Sequence, residues 1–330
     1  MSRIVSGPEA IAEGVERLGA GKPVAFPTET VYGLGADAFN SHAVGAVFTL
    51  KGRPSTNPLI VHVSGTKMAR RVVETWSEQA DAIARAHWPG PITIVLNKHQ
   101  SIPGIVCAGG KTVAVRCPSH PIALALIDAF DKPIVGPSAN PSGRISPTCP
   151  VHVAGGFPDT DLIIIDGGAC HAGIESTVVD LTNSTPRILR RGLLGREALA
   201  NTLGGVEVEI ADHTPTNEPA RSPGVIGAHY QPRTPCQLVN SEQTAGCIDT
   251  QIALIAWSIP EHRGGGHLFG LDEHAGAYAA GLYHAMHRAD ACSASMIWIE
   301  TPPIDAANTP ADRAIFEAVL ERLARATQSG

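Results

Sequence analysis

The sequence of 330 residues has no long apolar run and few aromatic residues. No window approaches 18 consecutive apolar residues, and the opening MSRIVSGPEA has no apolar signal core, so neither a membrane-spanning nor a secreted protein is expected. Its seven cysteines are scattered and no two have C-x-x-C spacing, which argues against a disulfide framework or a zinc site. We therefore expect a cytoplasmic protein in a reducing compartment.

An excess of positive charge is also lacking, because the formal net charge is −6. Residues 1–200 carry 18 Lys and Arg against 16 Asp and Glu, so the negative charge lies in residues 201–330. This balance argues against stable DNA binding or general nucleic-acid binding. The sequence has no Walker A loop, no G-x-S-x-G elbow and no H-E-x-x-H pair, which leaves positioning and electrostatics as the expected means of catalysis.

Periodic segments divide the chain into two α/β domains and a linker. Short apolar strands alternate with helical patterns over residues 1–205, which predicts an α/β domain with a mixed sheet. Residues 206–235 are rich in Pro, Thr and Gly, as in a flexible tether, although SPG and HYQP would suit a lid that docks on a surface. A shorter β-α-β-α pattern in 236–330 predicts a second, small domain. Strands are predicted at 23–26, 59–63, 92–96, 112–116, 133–136, 162–166, 176–181, 187–190, 252–257 and 295–300, and helices at 8–19, 41–51, 66–75, 77–87, 120–130, 274–289 and 310–326.

FPTETVYGLGADAF, residues 26–39, contains the pattern G-x-G-x-x-A of dinucleotide-binding loops. Such a loop requires an acidic residue about 20 positions later to hold the ribose hydroxyls. No Asp or Glu lies between Asp37 and Glu74, so we reject dinucleotide binding. Gly33 and Gly35 are instead interpreted as residues that allow a tight bend from strand to loop.

KGRPSTNP, residues 51–58, places Lys51 and Arg53 two positions apart on an irregular segment. Both can converge on one phosphate, because Arg offers a planar fork and Lys a point charge. The alternative is a solvated basic surface. His62, in an otherwise apolar strand, is typical of a core histidine with its hydrogen bonds satisfied.

GPSANPSGRISPT, residues 136–148, follows directly on a predicted strand. Its hydroxyls, amide and backbone N–H groups are neutral donors suited to phosphate or carboxylate oxygens, and a plain surface turn is the alternative. Arg116, at the end of another strand, either binds an anion or is exposed. GIESTVVDL, residues 173–181, and RILRRG, residues 187–192, add a third polar cluster.

These segments together resemble the YrdC-like family of threonylcarbamoyl-AMP synthases. The matching stretches, in the family's order, are PTETVYGLGADAF, KGRPSTNPLIVHV, WPGPITIVL, TVAVRCPSHP, GPSANPSGRISPT, DGG with GIESTVVDL, and ILRRG. They span about 22–205, and SPGVIGAHYQP with the segment after it looks like the long, two-domain form. The resemblance implies a YrdC-like twisted mixed sheet with helices around a concave site, followed by a small Rossmann-like α/β domain.

The resemblance also implies a reaction. L-threonine, bicarbonate and ATP, with Mg²⁺ bound to the ATP phosphates rather than to protein side chains, give L-threonylcarbamoyladenylate and pyrophosphate. A separate transferase then moves the threonylcarbamoyl group to an adenosine beside the anticodon of tRNA. Carbamate oxygen attacks the α-phosphorus in line, so donors around the phosphates carry the catalysis.

Site residues are carried over by motif position, as the resemblance implies. Lys51 and Arg53 are expected on the ATP phosphates as the catalytic pair. The other positions expected around ATP are Asn57, Thr112, Ser138, Asn140, Ser146, Arg190 and Tyr230, the last as a lid. Those expected around threonine are Thr30, His62, Arg116, Ser138 and Ser176, with Arg116 facing the carboxylate.

One segment departs from the family pattern, since VIGA at 225–228 replaces the usual methionine and basic or aromatic residues before HY. Two other functions remain open from the sequence. The first is a non-catalytic RNA-binding module of the same fold. The second is a regulator in which the small domain binds a ligand or partner.

Overall fold

The computed structural model describes residues 1–211, 229–245, 249, 251–258 and 266–328. The departure noted at 225–228 and most of the linker lie outside the described residues. Within the described part of the chain, no helix combines the length and the apolar composition needed to cross a bilayer.

Eleven of the described strands form one mixed sheet over the first two thirds of the chain. They are β1 Arg3–Val5, β2 Val24–Phe26, β3 Gly33–Asp37, β4 Ile60–His62, β5 Ile92–Asn97, β6 Thr112–Arg116, β7 Ile134–Val135, β8 Ile163–Ile165, β9 Thr177–Asp180, β10 Arg187–Arg190 and β11 Glu209–Ile210. Their order across the sheet is β1-β8-β2-β3-β7-β4-β6-β5-β9-β10-β11. The parallel neighbours β4 and β6 are in register with His62 opposite Arg116, so two predicted site residues end adjacent strands.

Helices cover this sheet and complete the first domain. They are α1 Pro8–Gly19, α2 Ser41–Lys51, α3 Thr66–Ala69, α4 Glu78–His87, α5 Pro121–Phe130, α6 Pro150–Gly156 and α7 Arg196–Thr202. The Asn40 side chain accepts hydrogen bonds from the backbone of His42 and Ala43 and so caps α2. Gly52, at φ 60°, ends α2 in the left-handed region, which turns the chain sharply between Lys51 and Arg53.

The remaining strands form a separate, wholly parallel sheet. These strands are β12 Cys236–Val239, β13 Ile252–Ala256, β14 His267–Gly270 and β15 Met296–Glu300, in the order β12-β15-β13-β14, and the helices are α8 Ser241–Ala245, α9 Ala275–Asp290 and α10 Pro310–Ala326. All five residues of β13 are buried, as expected for a central parallel strand. The chain is thus an α/β protein with one large mixed sheet and one small parallel sheet.

The predicted helices at 8–19, 41–51 and 310–326 and the predicted strands at 112–116 and 187–190 have the predicted bounds. Strand β5 is one residue longer than predicted, α9 is shifted by one residue, the helix at 66–75 ends at Ala69, and the other predicted elements are shorter by one or two residues. The sequence analysis missed β1, β3, β11, β12, β14, α6, α7 and α8.

Gly33 and Gly35 lie within strand β3, so their interpretation as a bend is wrong. Both face Phe26 on the antiparallel neighbour β2: a Cβ atom on Gly33 would lie 2.7 Å from the Phe26 ring, and one on Gly35 would lie 3.2 Å from it. The glycines therefore make room for a buried ring that forms the floor below His62, whose imidazole packs edge-on at 5.6 Å.

The small domain packs directly on the large one through a shared apolar core. Val31, Ile145 and Ile174 of the large domain belong to the same buried cluster as the side chains of α9 and α10. Gly173, at φ 73°, touches α9 closely enough that a Cβ atom there would lie 2.3 Å from the Ala279 carbonyl oxygen. Backbone therefore meets backbone at this interface.

Candidate active site

A small cavity of about 60 Å³ lies where β4 and β6 end and the segment after β7 begins. The Tyr230 side chain closes it from the linker and is itself buried. The lining residues are Thr30, Val31, Arg53, Ile60, His62, Arg116, Gly136, Pro137, Ser138, Asn140, Arg144, Ser146, Glu175, Arg190, His229 and Tyr230. Nine of the thirteen predicted site residues are therefore in this lining.

The lining favours anions. Four arginines, at 53, 116, 144 and 190, contribute to it, against one carboxylate, that of Glu175. Two further lining atoms, Nδ1 of His62 and Oδ1 of Asn140, are buried with no hydrogen-bond partner among the described residues. Buried polar atoms are rarely left unpaired, so both are suited to contact a bound molecule.

Lys51 lies under the 138–140 segment rather than in the cavity lining. Its Nζ donates to the carbonyl oxygens of Ser138 and Asn140. Burial, and after it the charge of Arg53, lower the pKa of Lys51 well below its usual value. In this arrangement Lys51 positions the backbone of the polar segment, and its contact with phosphate stays a prediction.

Arg53 lines the cavity and is held by backbone carbonyls. Its Nη2 donates to Pro58 O at 3.0 Å and its Nε to Asn57 O at 3.3 Å. Burial lowers the pKa of Arg53 to about 10, so it remains a cation at neutral pH. Asn57 thus contributes through its backbone.

Of the residues expected around the substrate threonine, Thr30, His62, Arg116 and Ser138 line the cavity. His62 and Arg116 are strand neighbours, and Thr30 is fully buried with its hydroxyl 2.9 Å from that of Thr28. Burial, and after it the charge of Arg116, lower the pKa of His62 well below its usual value, so its imidazole is neutral.

Arg116 is ion-paired as well as cavity-lining. Its Nη2 lies 2.9 Å from Oε1 of Glu29, and both side chains are buried. Burial raises the pKa of Glu29, but Arg116 and the backbone N–H of Ser119 outweigh burial, and the pKa is lowered. The sequence analysis did not single out Glu29, which orients the arginine expected to meet a carboxylate.

Ser138, Asn140 and Ser146, all from the segment at 136–148, line the cavity. The Asn140 amide nitrogen donates to Pro141 O at 3.0 Å and to Arg144 O at 2.8 Å, which locks the loop. The Ser146 hydroxyl donates to Oε1 of Glu175 at 2.7 Å.

Arg190 and Ser176 form a buried unit. The Arg190 guanidinium donates to the carbonyl oxygen of Ser176 at 3.0 and 3.1 Å and to its hydroxyl at 3.1 Å. The Ser176 hydroxyl also lies 2.8 Å from that of Thr93. Ser176 is not in the cavity lining, so it acts in this structure by orienting Arg190.

Thr112 lies outside the lining. It begins β6 while Arg116 ends the strand, so about 13 Å of extended chain separates them. Its role at the nucleotide stays a prediction.

The small domain holds the one carboxylate of the cavity wall in place, which sequence reasoning missed. Glu175 accepts from Ser146, from the Tyr283 hydroxyl at 3.1 Å and from Arg322 Nε at 3.2 Å. Tyr283 lies on α9 and Arg322 on α10, and the Tyr230 ring stacks on that of Tyr283 at 5.6 Å and 21°. Burial raises the pKa of Glu175, but Arg322 and then Arg190 outweigh burial and lower it.

The lining does not fit a magnesium site made of protein side chains. Mg²⁺ prefers carboxylate and water oxygens, and both nearby carboxylates, Glu29 and Glu175, are committed to buried arginines. The cations and neutral donors around them suit phosphate and carboxylate groups instead.

Comparisons with known proteins cover both domains of the chain. A family model described as "Telomere recombination" matches residues 16–192, and one described as "Threonylcarbamoyl-AMP synthase, C-terminal domain" matches residues 194–328. The threonylcarbamoyl-AMP synthase of Bacillus subtilis is 35% identical over 96% of this chain and 92% of its own length. That of Pyrococcus abyssi is 43% identical over 70% of each chain.

Solved structures of similar proteins cover nearly the whole chain. P. abyssi Sua5 complexed with L-threonine superposes with a TM-score of 0.88 at 33% identity, over 99% of this chain and 97% of its own. A Sua5 variant from the same organism, with adjacent His and Tyr replaced by alanine, gives 0.85 at the same identity and covers 99% and 96%. Since the family models and relatives together span both sheets, this chain belongs to the two-domain threonylcarbamoyl-AMP synthase family.

Proposed function

We propose that this chain is a nucleotidyltransferase that makes L-threonylcarbamoyladenylate and pyrophosphate from L-threonine, bicarbonate and ATP. The observation that carries the proposal is the convergence of two residue groups in one cavity. Arg53, Ser138, Ser146 and Arg190, which are expected around ATP, and Thr30, His62 and Arg116, which are expected around threonine, line it together. An anionic nucleotide and an amino-acid carboxylate need such adjoining donor sets. The L-threonine named with the P. abyssi structure fits the second set.

The proposed chemistry has two steps. The threonine amine and bicarbonate give a carbamate with loss of water, and a carbamate oxygen then forms a bond to the α-phosphorus while pyrophosphate leaves. Arg53 and Arg190 would stabilise the charge on the phosphoryl oxygens, and this preorganised electrostatic contribution is usually the largest one in such sites. Arg116, held by Glu29, would bind the threonine carboxylate. Mg²⁺ would enter with the ATP phosphates and offset their charge.

Tyr230 is proposed as a lid over the nucleotide. The 60 Å³ cavity is well below the about 300–1,000 Å³ of ligand pockets, so ATP binding requires Tyr230 to move outward. The His–Tyr pair replaced in the P. abyssi variant has a counterpart in His229 and Tyr230, the one such dipeptide in this sequence. Closure over the adenylate would exclude water from a hydrolysable anhydride.

Pyrophosphate release tests the proposed reaction. It should require ATP, threonine and bicarbonate together, and release without threonine would contradict the proposal. Arg53→Ala should lower kcat about 10²–10³-fold, or roughly 2.7–4 kcal/mol, as for the loss of one transition-state donor. Lys67→Ala, which removes an exposed lysine after β4, is the matched control and should leave the rate unchanged.

Thr30→Val tests whether Thr30 contacts threonine or the nucleotide. It should raise the KM for threonine more than that for ATP, since Thr30 lines the cavity and directly follows Glu29, the ion-pair partner of Arg116. The reverse result would assign Thr30 to the nucleotide.

The downstream steps are also proposals. The product would pass to a separate transferase acting on tRNA, and the reaction would take place in the cytoplasm. A Rossmann-like class for the small domain is proposed on its parallel sheet alone.

A further inference from the structure

A cluster of soft ligands lies at the domain interface, outside the active-site lining. Cys149 and His152 are spaced C-x-x-H at the beginning of α6 in the large domain, and His284 lies on α9 of the small domain. One ligand atom from each residue lies within 4.8 Å of the other two. Thiolate and imidazole are the ligands that zinc prefers.

The surroundings hold the His152 side chain in place. The His152 ring stacks on His287 with centroids 3.9 Å apart and planes 18° apart, and it packs on His284 at 5.4 Å. Nδ1 of His152 also lies 3.2 Å from the backbone nitrogen of Thr148, so the segment before α6 fixes its orientation.

His287 supports the cluster without completing it. Its ring is parallel to that of His152, so the in-plane lone pairs of the two rings do not converge on one point. Its Nε2 lies 3.2 Å from the carbonyl oxygen of Ser146, to which it donates as a neutral ring.

We propose that Cys149, His152 and His284 bind a divalent transition metal of the zinc class across the two domains. Tetrahedral zinc, with bonds of about 2.0–2.3 Å, places its donors roughly 3.3–3.6 Å apart. Because the three ligand atoms lie within 4.8 Å of one another, the cluster must contract by no more than about 1.5 Å, to which rotation of the exposed His284 side chain can contribute. Water completes the fourth position from the adjoining groove, whose volume is about 410 Å³.

The metal would tie the two domains together next to the linker. The same groove is lined by Gln231 and Arg233, which follow the lid residue Tyr230. A metal between α6 and α9 would thus fasten the interface at the point where the linker leaves it. The catalytic steps do not involve this metal.

Cobalt binding to the untagged full-length chain tests the site. After treatment with a chelator, titration with Co²⁺ should saturate at one ion per chain, with thiolate-to-cobalt charge-transfer absorption and the intense visible bands of tetrahedral cobalt. Zn²⁺ should abolish both signals. Cys149→Ser should lose the charge-transfer absorption, and His284→Ala should weaken Co²⁺ binding at least tenfold.

Two controls keep the outcome interpretable. Cys236→Ser removes another partly buried free cysteine, and His274→Ala removes another exposed histidine. Both should bind cobalt like the parent chain. Circular dichroism and pyrophosphate release show whether each variant folds. Charge-transfer absorption that survives in folded Cys149→Ser, or a parent chain without such absorption, would overturn the proposal.

Discussion

The buried pair between Glu175 and Arg322 yields the sharpest prediction about the small domain. Arg322 is 1% exposed and Glu175 is 7% exposed, and they meet at 3.2 Å across the domain interface. Replacing one partner of such a pair leaves an uncompensated buried charge, which costs about 3–5 kcal/mol. Arg322→Met, which keeps much of the side-chain volume, should therefore destabilise the protein by about that amount.

A double-mutant cycle separates this pair from general damage. Arg322→Met leaves the Glu175 carboxylate unpaired, and Glu175→Gln removes that charge. The double variant should therefore lose less stability than the sum of the two single losses, with a coupling free energy of about 1–3 kcal/mol. Stability is measured by urea unfolding of all four proteins. Arg313→Met, which removes an exposed arginine of the same helix, should cost no more than about 1 kcal/mol.

Activity provides the second measurement in that cycle. Because Glu175 also accepts from Ser146 in the cavity wall, Arg322→Met should lower pyrophosphate release although Arg322 lies outside the lining. Additive stability effects, with a coupling below about 0.5 kcal/mol, would refute the role given to Arg322.

Two further predictions concern the cavity floor. Gly33→Ala should destabilise the protein by about 1–3 kcal/mol in thermal unfolding, because its Cβ would overlap the Phe26 ring. Gly45→Ala, at a helical position with open space around it, should not destabilise the protein. Equal effects of the two substitutions would contradict the packing of Gly33 against Phe26. The neutral, buried His62 should make stability fall as pH decreases below about 6.5, because the unfolded state then binds a proton that the folded state does not, with a slope of up to about 1.4 kcal/mol per pH unit. His62→Gln should reduce the pH dependence of the free energy of unfolding between pH 5 and 7 more than His42→Gln, which changes an exposed histidine. An unchanged slope in His62→Gln would refute the view that His62 is neutral in the folded protein.

Local sequence patterns predicted the regular helices and the buried strands well. Pro8 and Gly21 frame α1, and apolar β-branched residues mark β6, because these signals act within a few residues. Strand β3 was missed because Gly33 and Gly35 are poor strand residues by themselves, and they are needed only because Phe26 packs across from them.

Residues of the candidate site could be predicted where they belong to a local sequence motif, but contacts between distant segments could not. The segment at 136–148 and the arginines at 53, 116 and 190 were found from their local context. The contact of Glu175 with Arg322 spans 147 positions, and no periodicity connects them. Cys149 and His284 are likewise far apart in the sequence, so a search for C-x-x-C pairs could not detect the ligand set proposed for them.

The close approach at Gly173 limits how the cavity can open. Because a backbone loop of the large domain touches the backbone of α9, rotation of one domain over the other would press main-chain atoms together. The two domains should therefore behave as one rigid body, against which the Tyr230 side chain moves. Substrate exchange would then depend on opening of the lid at Tyr230, in microseconds or longer, and would require no rotation of the domains.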